Sequence, residues 1–394
     1  MRTRREPHLA IACGGTGGHL FPGLAVGTAL QRSGCEITLL VSDKKVDQSA
    51  LSSVPGMHAV TLPAVGLQRD ELGGFLRGLW SSVHLCIREF KASEPDAVFT
   101  TGGFTGVPAL LAGKAMGLAT FLHEANSIPG RANRLLAPWV DDTFAWFPQA
   151  VRRLSRRCIH SGMPLRAQMQ PLDPGACRSA LGLDPQQAVV LIMGGSQGAS
   201  AVNLLVMRAA PFLRRKMPRL QIIHLAGPKD EADLVSCYEV NHLRARVFPF
   251  LTEMELALGA ANVVVSRSGA SSLAEFAAVG LPPILIPYPA AADNHQYFNA
   301  RAFADSGAAL QLEQGTDTPE TLAESVIQLI ENQSKRTTMR AALQQWHRPN
   351  AAEEIAESIL GRVRQLTART RVSFASSIPV GSQPALIAGG ERVR

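Results

Sequence analysis

The chain of 394 residues is 46% hydrophobic and 18% charged, which suits a soluble protein with sizeable cores, and its length favours two domains. Its formal net charge of +7 belongs to the two ends, Arg2, Arg4, Arg5 and Glu6 at one and six arginines from Arg362 onward with Glu391 at the other. Residues 7–361 are neutral overall, so no nucleic acid is expected as a partner, while basic ends suit an anionic lipid surface.

The first apolar run, Leu9–Cys13, breaks into glycines too early for a signal peptide. Further runs follow at Ile37–Val41, Ala97–Thr100, Thr120–Leu122 and Thr143–Phe147, separated by amphipathic segments. The alternation restarts at Ala188–Met193 and continues through Leu220–Ala226, Arg246–Phe250, Asn262–Ser266 and Ile284–Pro287. Short apolar runs alternating with helical patterns specify parallel sheets with helices on both faces, here two doubly wound, Rossmann-like α/β units in series. The uncharged stretch Phe276–Ala292 carries Pro282, Pro283, Pro287 and Pro289 and reads as a buried strand with turns rather than a membrane span. The turn Ser161–Arg166 (SGMPLR) marks a hinge between the units, with the binding cleft expected between them. The expected division is an N-terminal domain over 1–162, a C-terminal domain over 163–345, a helix over 346–366 returning to the first domain, and a mobile basic tail over 367–394. Six cysteines without a C-x-x-C pair signal neither a disulfide framework nor a zinc cluster and fit a reducing compartment.

Both units open alike: IACGGTGGH after the first strand is echoed by LIMGGSQGA after the first strand of the second unit. A glycine turn between strand and helix lets main chain approach a phosphate and aims helix N-terminal amides at it. The first loop, Gly14–Gly18, fails the dinucleotide spacing: with Gly15 and Gly17 as the first two glycines of G-x-G-x-x-G, the third position is Leu20. This disfavours a nicotinamide enzyme although Asp43 follows the second strand. The second loop, Gly194–Gly198, lacks the G-K-[ST] of a P-loop but offers Ser196 and free amides to a diphosphate without requiring a metal. His19 follows the first loop; its ring either faces the cleft as a proton acceptor or packs and caps the turn. His123, Glu124 and Asn126 end a parallel strand, where ligands bind in open sheets, although His123 and Glu124 pairing together or Asn126 capping the next helix would also account for them. Ser266–Ser272 leads from a strand into a helix bearing Glu275, whose carboxylate can accept both hydroxyls of a ribose. Asp293, Asn294, His295 and Gln296 supply amides suited to sugar hydroxyls.

Taken together, GGTGGHLFPGLAV, TTGGFTGVPALLA, HEANSIPGRANRLLA, GGSQGA, SRSGASSLAE and DNHQYFNA resemble the peptidoglycan branch of glycosyltransferase family 28. Its members are UDP-N-acetylglucosamine transferases that make lipid II from lipid I. The resemblance runs in order from Leu9 to Gly361 and implies the GT-B fold, two Rossmann-like domains facing a central cleft. The lipid acceptor would sit on the first domain and the nucleotide sugar mainly on the second. It implies Thr16, Gly17 and Gly18 at the donor's phosphates and sugar, Asn126 at the N-acetylglucosamine, Arg166 beside the nucleotide and Ser196 on the diphosphate. Leu251 would meet the uracil through its backbone. Ala270, Ser271, Ser272, Leu273 and Ala274 would wrap phosphates and ribose, with Glu275 on the ribose hydroxyls and Gln296 on the sugar. Phe104 stands where the family often has tyrosine, and Ala274 where it often has serine; the latter removes one polar contact.

The family inverts the anomeric centre, which implies attack by an acceptor 4-hydroxyl in one displacement, with His19 nominated as base and no tightly bound cofactor or metal. A lipid-linked acceptor implies peripheral docking on the cytoplasmic face of the inner membrane. The candidate surface is Leu67–Phe90, where Phe75, Leu76, Leu79, Trp80, Val83, Leu85 and Ile87 are interspersed with Arg69, Arg77 and Arg88, unless these residues pack a domain face instead. Cell-wall synthesis and division proteins are the further partners this setting suggests. A UDP-N-acetylglucosamine 2-epimerase or a transferase with another acceptor is the same-fold alternative, and a non-catalytic nucleotide-binding module the alternative of a different class.

Overall fold

Fully apolar strands demand cover on both faces, and the chain meets that demand with two parallel sheets sandwiched by helices. The computed structural model describes residues 6–44, 47–48, 56–63, 72–195 and 198–376. The first sheet contains β1 (His8–Ala12), β2 (Glu36–Val41), β3 (His58–Thr61), β4 (Ala97–Thr100), β5 (Ala119–Glu124), β6 (Asp142–Ala145) and β7 (Cys158–His160). Its order is β3-β2-β1-β4-β5-β6-β7, every pair parallel, with Ile11 opposite both Leu39 and Phe99. The second contains β8 (Val189–Met193), β9 (Gln221–Leu225), β10 (Arg244–Phe248), β11 (Val263–Ser266), β12 (Pro283–Leu285) and β13 (Leu310–Gln311), in the order β10-β9-β8-β11-β12-β13. This is the expected α/β architecture of two doubly wound units. No helix among the described residues is long and apolar enough to cross a membrane.

Three strands escaped the sequence pattern, and all three lie at sheet edges. β3 (HAVT) is largely exposed, β7 (CIH) is mostly exposed and β13 (LQ) is two half-buried residues. An edge strand needs one covered face at most, so it carries no apolar run to detect.

Strand order reverses between β1 and β4 in the first sheet and between β8 and β11 in the second. A crevice opens outside the carboxyl ends of parallel strands at such a switch point. The four segments that leave these strands, at Gly14, Thr101, Gly194 and Arg267, are therefore placed at the mouth of this crevice.

The chain passes between the units twice. The first passage contains Gly162, whose φ of +98° favours glycine and whose Cβ would lie 2.8 Å from that of Arg348 on the second passage. Trp146 and Phe147 of the first unit, Phe303 of the second and Trp346 of the second passage form one aromatic cluster beside this crossing, with Phe303 and Trp346 stacked at 4.4 Å. Trp146 Nε1 donates to Trp346 O at 3.1 Å, and Trp346 Nε1 to Ser306 Oγ at 2.9 Å. The helix Ala351–Ser376 then buries Ile355, Ile359 and Val363 in the core that holds Leu9, Ile11, Leu24 and Phe99. It extends past residue 366, and the remainder of the expected tail, 377–394, lies outside the described residues.

Candidate active site

A helix start offers free amides unless a side chain caps it. The helices Pro174–Ala180, Pro319–Glu331 and Gln333–Gln344 are capped by the side chains of Asp173, Thr318 and Asn332. The helices Gly17–Arg32 and Ala270–Val279, which leave β1 and β11, are among the several that begin without a side-chain cap, at Thr16 and Gly269. These two starts face each other across the cleft: Ser271 Oγ lies 3.5 Å from Gly18 O. Their positive dipole ends converge on one gap, a setting for an anion. Thr16 and Gly18 are exposed and Gly17, Ser271 and Ser272 half-buried, whereas Ala270, Leu273 and Ala274 are buried. The second glycine loop leads to another uncapped helix, Ser200–Lys216. Ser196, assigned to the diphosphate from sequence, lies outside the described residues.

The first loop is held in shape from below. Asp47 Oδ2 accepts from Gly15 N at 2.8 Å, Ser42 N at 3.0 Å and Ser42 Oγ at 2.6 Å, and Lys44 Nζ donates to Gly15 O at 2.9 Å. The loop's neighbour, Gly103, has a φ of +76°, and a Cβ there would sit 3.0 Å from the His19 ring. The two glycine segments and His19 therefore form one packed unit.

His19 is half-buried with Nδ1 2.9 Å from Thr101 O. A carbonyl only accepts, so the proton sits on Nδ1 and Nε2 keeps its lone pair. Burial pulls this imidazole below the usual histidine range, against the opposing pull of the Glu124 carboxylate, so it is neutral at pH 7. The helix is not capped by this ring, since its N-cap is Thr16.

His123 and Glu124 do not pair. His123 Nε2 donates to Gly162 O at 3.0 Å, and burial draws its pKa down to about 4. Glu124, 2% exposed, accepts from Asn126 N at 2.8 Å, Asn126 Nδ2 at 3.2 Å, Gly130 N at 2.9 Å and Asn133 Nδ2 at 2.8 Å. It organises the loop that presents Asn126. Nor does Asn126 cap the next helix, which starts at Gly130 without a side-chain cap.

On the opposite wall, Glu275 is buried one turn into its helix, 3.8 Å from Arg166, whose guanidinium stacks on Phe21 at 4.3 Å. Burial pushes the Glu275 carboxyl up to about 7, the Arg166 charge opposing. Leu251 is half-buried at the end of the segment after β10, beside the exposed ring of Phe250. Gln296 Oε1 accepts from Tyr288 N at 3.0 Å, which turns its Nε2 toward other acceptors. Asp293 takes Arg131 at 2.8 Å and Arg134 at 2.6 Å, ion pairs that join the two units at the rim. Among the described residues no group of three or more His, Cys, Asp or Glu side chains converges to hold a metal ion. Sequence reasoning missed the roles of Asp47, Phe21, Asn133 and Asn299, which act through contacts 9 to 173 positions away along the chain. Phe250, by contrast, carried a readable signal as an aromatic residue at a strand's carboxyl end.

The family model described as the glycosyltransferase family 28 N-terminal domain matches residues 9–145, and that of the family 28 C-terminal domain matches residues 189–355. A UDP-N-acetylglucosamine–N-acetylmuramyl-(pentapeptide) pyrophosphoryl-undecaprenol N-acetylglucosamine transferase of Syntrophotalea carbinolica is 36% identical, covering 88% of this chain and 96% of the relative. The crystal structure of Acinetobacter baumannii MurG superposes with a TM-score of 0.70 at 25% identity, over 90% of this chain and 99% of that one. A putative UDP-N-acetylglucosamine 2-epimerase from Listeria monocytogenes, 13% identical over 89% of this chain and 95% of its own, shares the fold with a TM-score of 0.69.

Glu124→Gln replaces one accepting oxygen with a donor among four donors and is expected to cost about 3 kcal/mol in chemical denaturation. An unchanged midpoint would show that these bonds carry no stability.

Proposed function

The chain belongs to glycosyltransferase family 28, and on that premise we propose that it transfers N-acetylglucosamine from UDP-N-acetylglucosamine to the 4-hydroxyl of the N-acetylmuramyl group of lipid I, forming lipid II. What supports the reading most is the pair of uncapped helix starts at Thr16 and Gly269, opposed across the cleft with a neutral histidine beside them. An inverting transfer needs charge stabilisation for a departing diphosphate and a base for the attacking hydroxyl, and these two features answer the two needs.

In this reading the amides at Gly17, Gly18, Ala270, Ser271 and Ser272, with Thr16 and Ser196, receive the diphosphate. Leu273 and Ala274 back that turn, Glu275 takes the ribose diol beside Arg166, and Leu251 meets the uracil through its main chain. Asn126 and Gln296 hold the sugar. His19 Nε2 takes the proton of the acceptor 4-hydroxyl as its oxygen attacks C1, and the C1–oxygen bond to UDP breaks with its electron pair leaving on the diphosphate. The domain division is 1–162 for the acceptor and 163–345 for the donor, with the following helix returned to the first domain.

Docking to a membrane-held acceptor falls to the helix Leu72–Ser93. Leu76 and Trp80 are 54% and 65% exposed on it, flanked by the exposed Arg77 and Arg88, while Leu85 and Ile87 pack inward against the core. The helices Gly103–Ala115 and Arg131–Leu136 adjoin it in turn and add Leu111, Leu135 and, just beyond, Trp139 to the exposed apolar residues of this side. Such a face suits a peripheral site on an anionic leaflet, at the cytoplasmic side of the inner membrane. Leu67 and Arg69 of the expected patch lie outside the described residues.

With radiolabelled UDP-N-acetylglucosamine and a lipid I analogue, the wild type is expected to give labelled lipid-linked product. His19→Ala should lower kcat about a hundredfold or more with little change in UDP affinity. Free epimerised sugar nucleotide without lipid product would establish a 2-epimerase instead, and an unchanged kcat would remove His19 from the role of base. A ribose diol can donate both hydroxyls, one to each oxygen, only when Glu275 is ionised, so the affinity of the free enzyme for UDP should climb as pH rises through about 7 and level off above it. Glu275→Gln should flatten that profile in calorimetric titration; a profile already flat in the wild type would contradict the assignment. The doubly substituted Trp80→Glu, Arg77→Glu protein should lose sedimentation with anionic liposomes, and undiminished binding would clear this face of the function.

A further inference from the structure

Asn299 sits on the helix His295–Asp305 of the second unit, with no exposed surface. Its amide is saturated. Oδ1 accepts from Ser127 N and Ser127 Oγ, both at 2.9 Å, and Nδ2 donates to Asn126 Oδ1 at 3.0 Å and to Ser268 O at 3.2 Å. An asparagine side chain has two donor hydrogens and two accepting lone pairs, so no capacity is left over. Three of these bonds cross to the first unit, and the fourth ties down the segment that precedes the helix start at Gly269. Nearby, Ser268 Oγ donates to Gln296 O at 2.7 Å, which brings the Gln296 turn into the same assembly.

The consequence falls on Asn126. Its Oδ1 is occupied by the hydrogen from Asn299, and one Nδ2 hydrogen goes to Glu124 Oε1 at 3.2 Å. The orientation of the amide follows from the network, because reversing it would oppose Nδ2 to a donor and Oδ1 to a carboxylate. One Nδ2 hydrogen remains, on a half-buried residue at the carboxyl end of β5, at the cleft.

We propose that Asn299 is a positioning residue for the donor sugar: it fixes the amide of Asn126 so that one hydrogen is presented to a sugar hydroxyl, and it does so only while the two units are together. Asn126 then donates to the sugar through its remaining Nδ2 hydrogen. Because the two groups that set this orientation come from different units, an open cleft leaves Asn126 held by Glu124 alone, and sugar recognition is coupled to closure. A buried asparagine that merely satisfied Ser127 would affect stability and every ligand alike, whereas this arrangement acts on the sugar-bearing ligand alone. The inference rests on the assignment of Asn126 to the sugar.

Titration calorimetry with UDP and with UDP-N-acetylglucosamine on Asn126→Ala, Asn299→Ala and the double variant separates these possibilities. Each single variant is expected to weaken UDP-N-acetylglucosamine about tenfold while moving UDP by less than about twofold. The double variant should be no weaker than either single one by more than about twofold, since both remove the same contact. Asn299→Asp keeps the acceptors for Ser127 but turns a carboxylate oxygen toward Asn126 Oδ1. It should show the same selective loss, and it decides the matter if Asn299→Ala melts early or no longer binds UDP. Wild-type affinity for the sugar nucleotide in the Asn299 variants, equal losses for both ligands, or losses that add in the double variant would overturn the proposal. If Asn126→Ala alone leaves UDP-N-acetylglucosamine binding unchanged, the sugar assignment of Asn126 falls first and Asn299 falls with it.

Discussion

Amides at a helix start must find acceptors, and where no side chain supplies one the need is passed to whatever enters the adjoining space. At the carboxyl ends of β1 and β11 that need is directed into the same gap from two sides. The order reversal of each sheet places the gap, the glycine turns let main chain come close, and the passages between the units hold the two halves in register. Several polar residues of the cleft can be understood by what they do for those two helix starts. Asp47 and Lys44 fix the loop below one of them, and Glu275 stands one turn behind the other.

The attraction for a charged ligand in this cleft is thus made largely from backbone. His19 is neutral, Glu275 sits near its titration midpoint at pH 7, and Arg166 lies against a ring and that same Glu275. This explains how residues 7–361 sum to no net charge in a protein whose cleft is arranged for anions. A field built from fixed dipoles needs no reorganisation when charge develops.

Much of this was readable in the order of residues. The interior strands announce themselves as apolar runs because both their faces are covered, and the glycine turns stand out because only glycine tolerates the required approach. The edge strands β3, β7 and β13 were not readable, since half-exposed residues carry no such signature. Glu124 was visible as a polar residue at a strand end, but its task of accepting four hydrogen bonds depends on where Gly130 and Asn133 return to it. Asn299 was invisible as anything but a helix residue, because its significance comes from Asn126, 173 positions earlier. His19 lay between: the sequence left its ring either facing the cleft or packed, and the anchor of Nδ1 on Thr101 O depends on a residue 82 positions away.

The helix Ala351–Ser376 lies on the core of the first sheet although the whole second unit precedes it in the chain. On the ribosome, residues 9–145 emerge early yet lack Ile355, Ile359 and Val363 until the whole second unit has appeared. The first unit is thus a discontinuous folding unit that waits for this helix, and a stop codon between the second unit and Ile355 would strip apolar cover from the first.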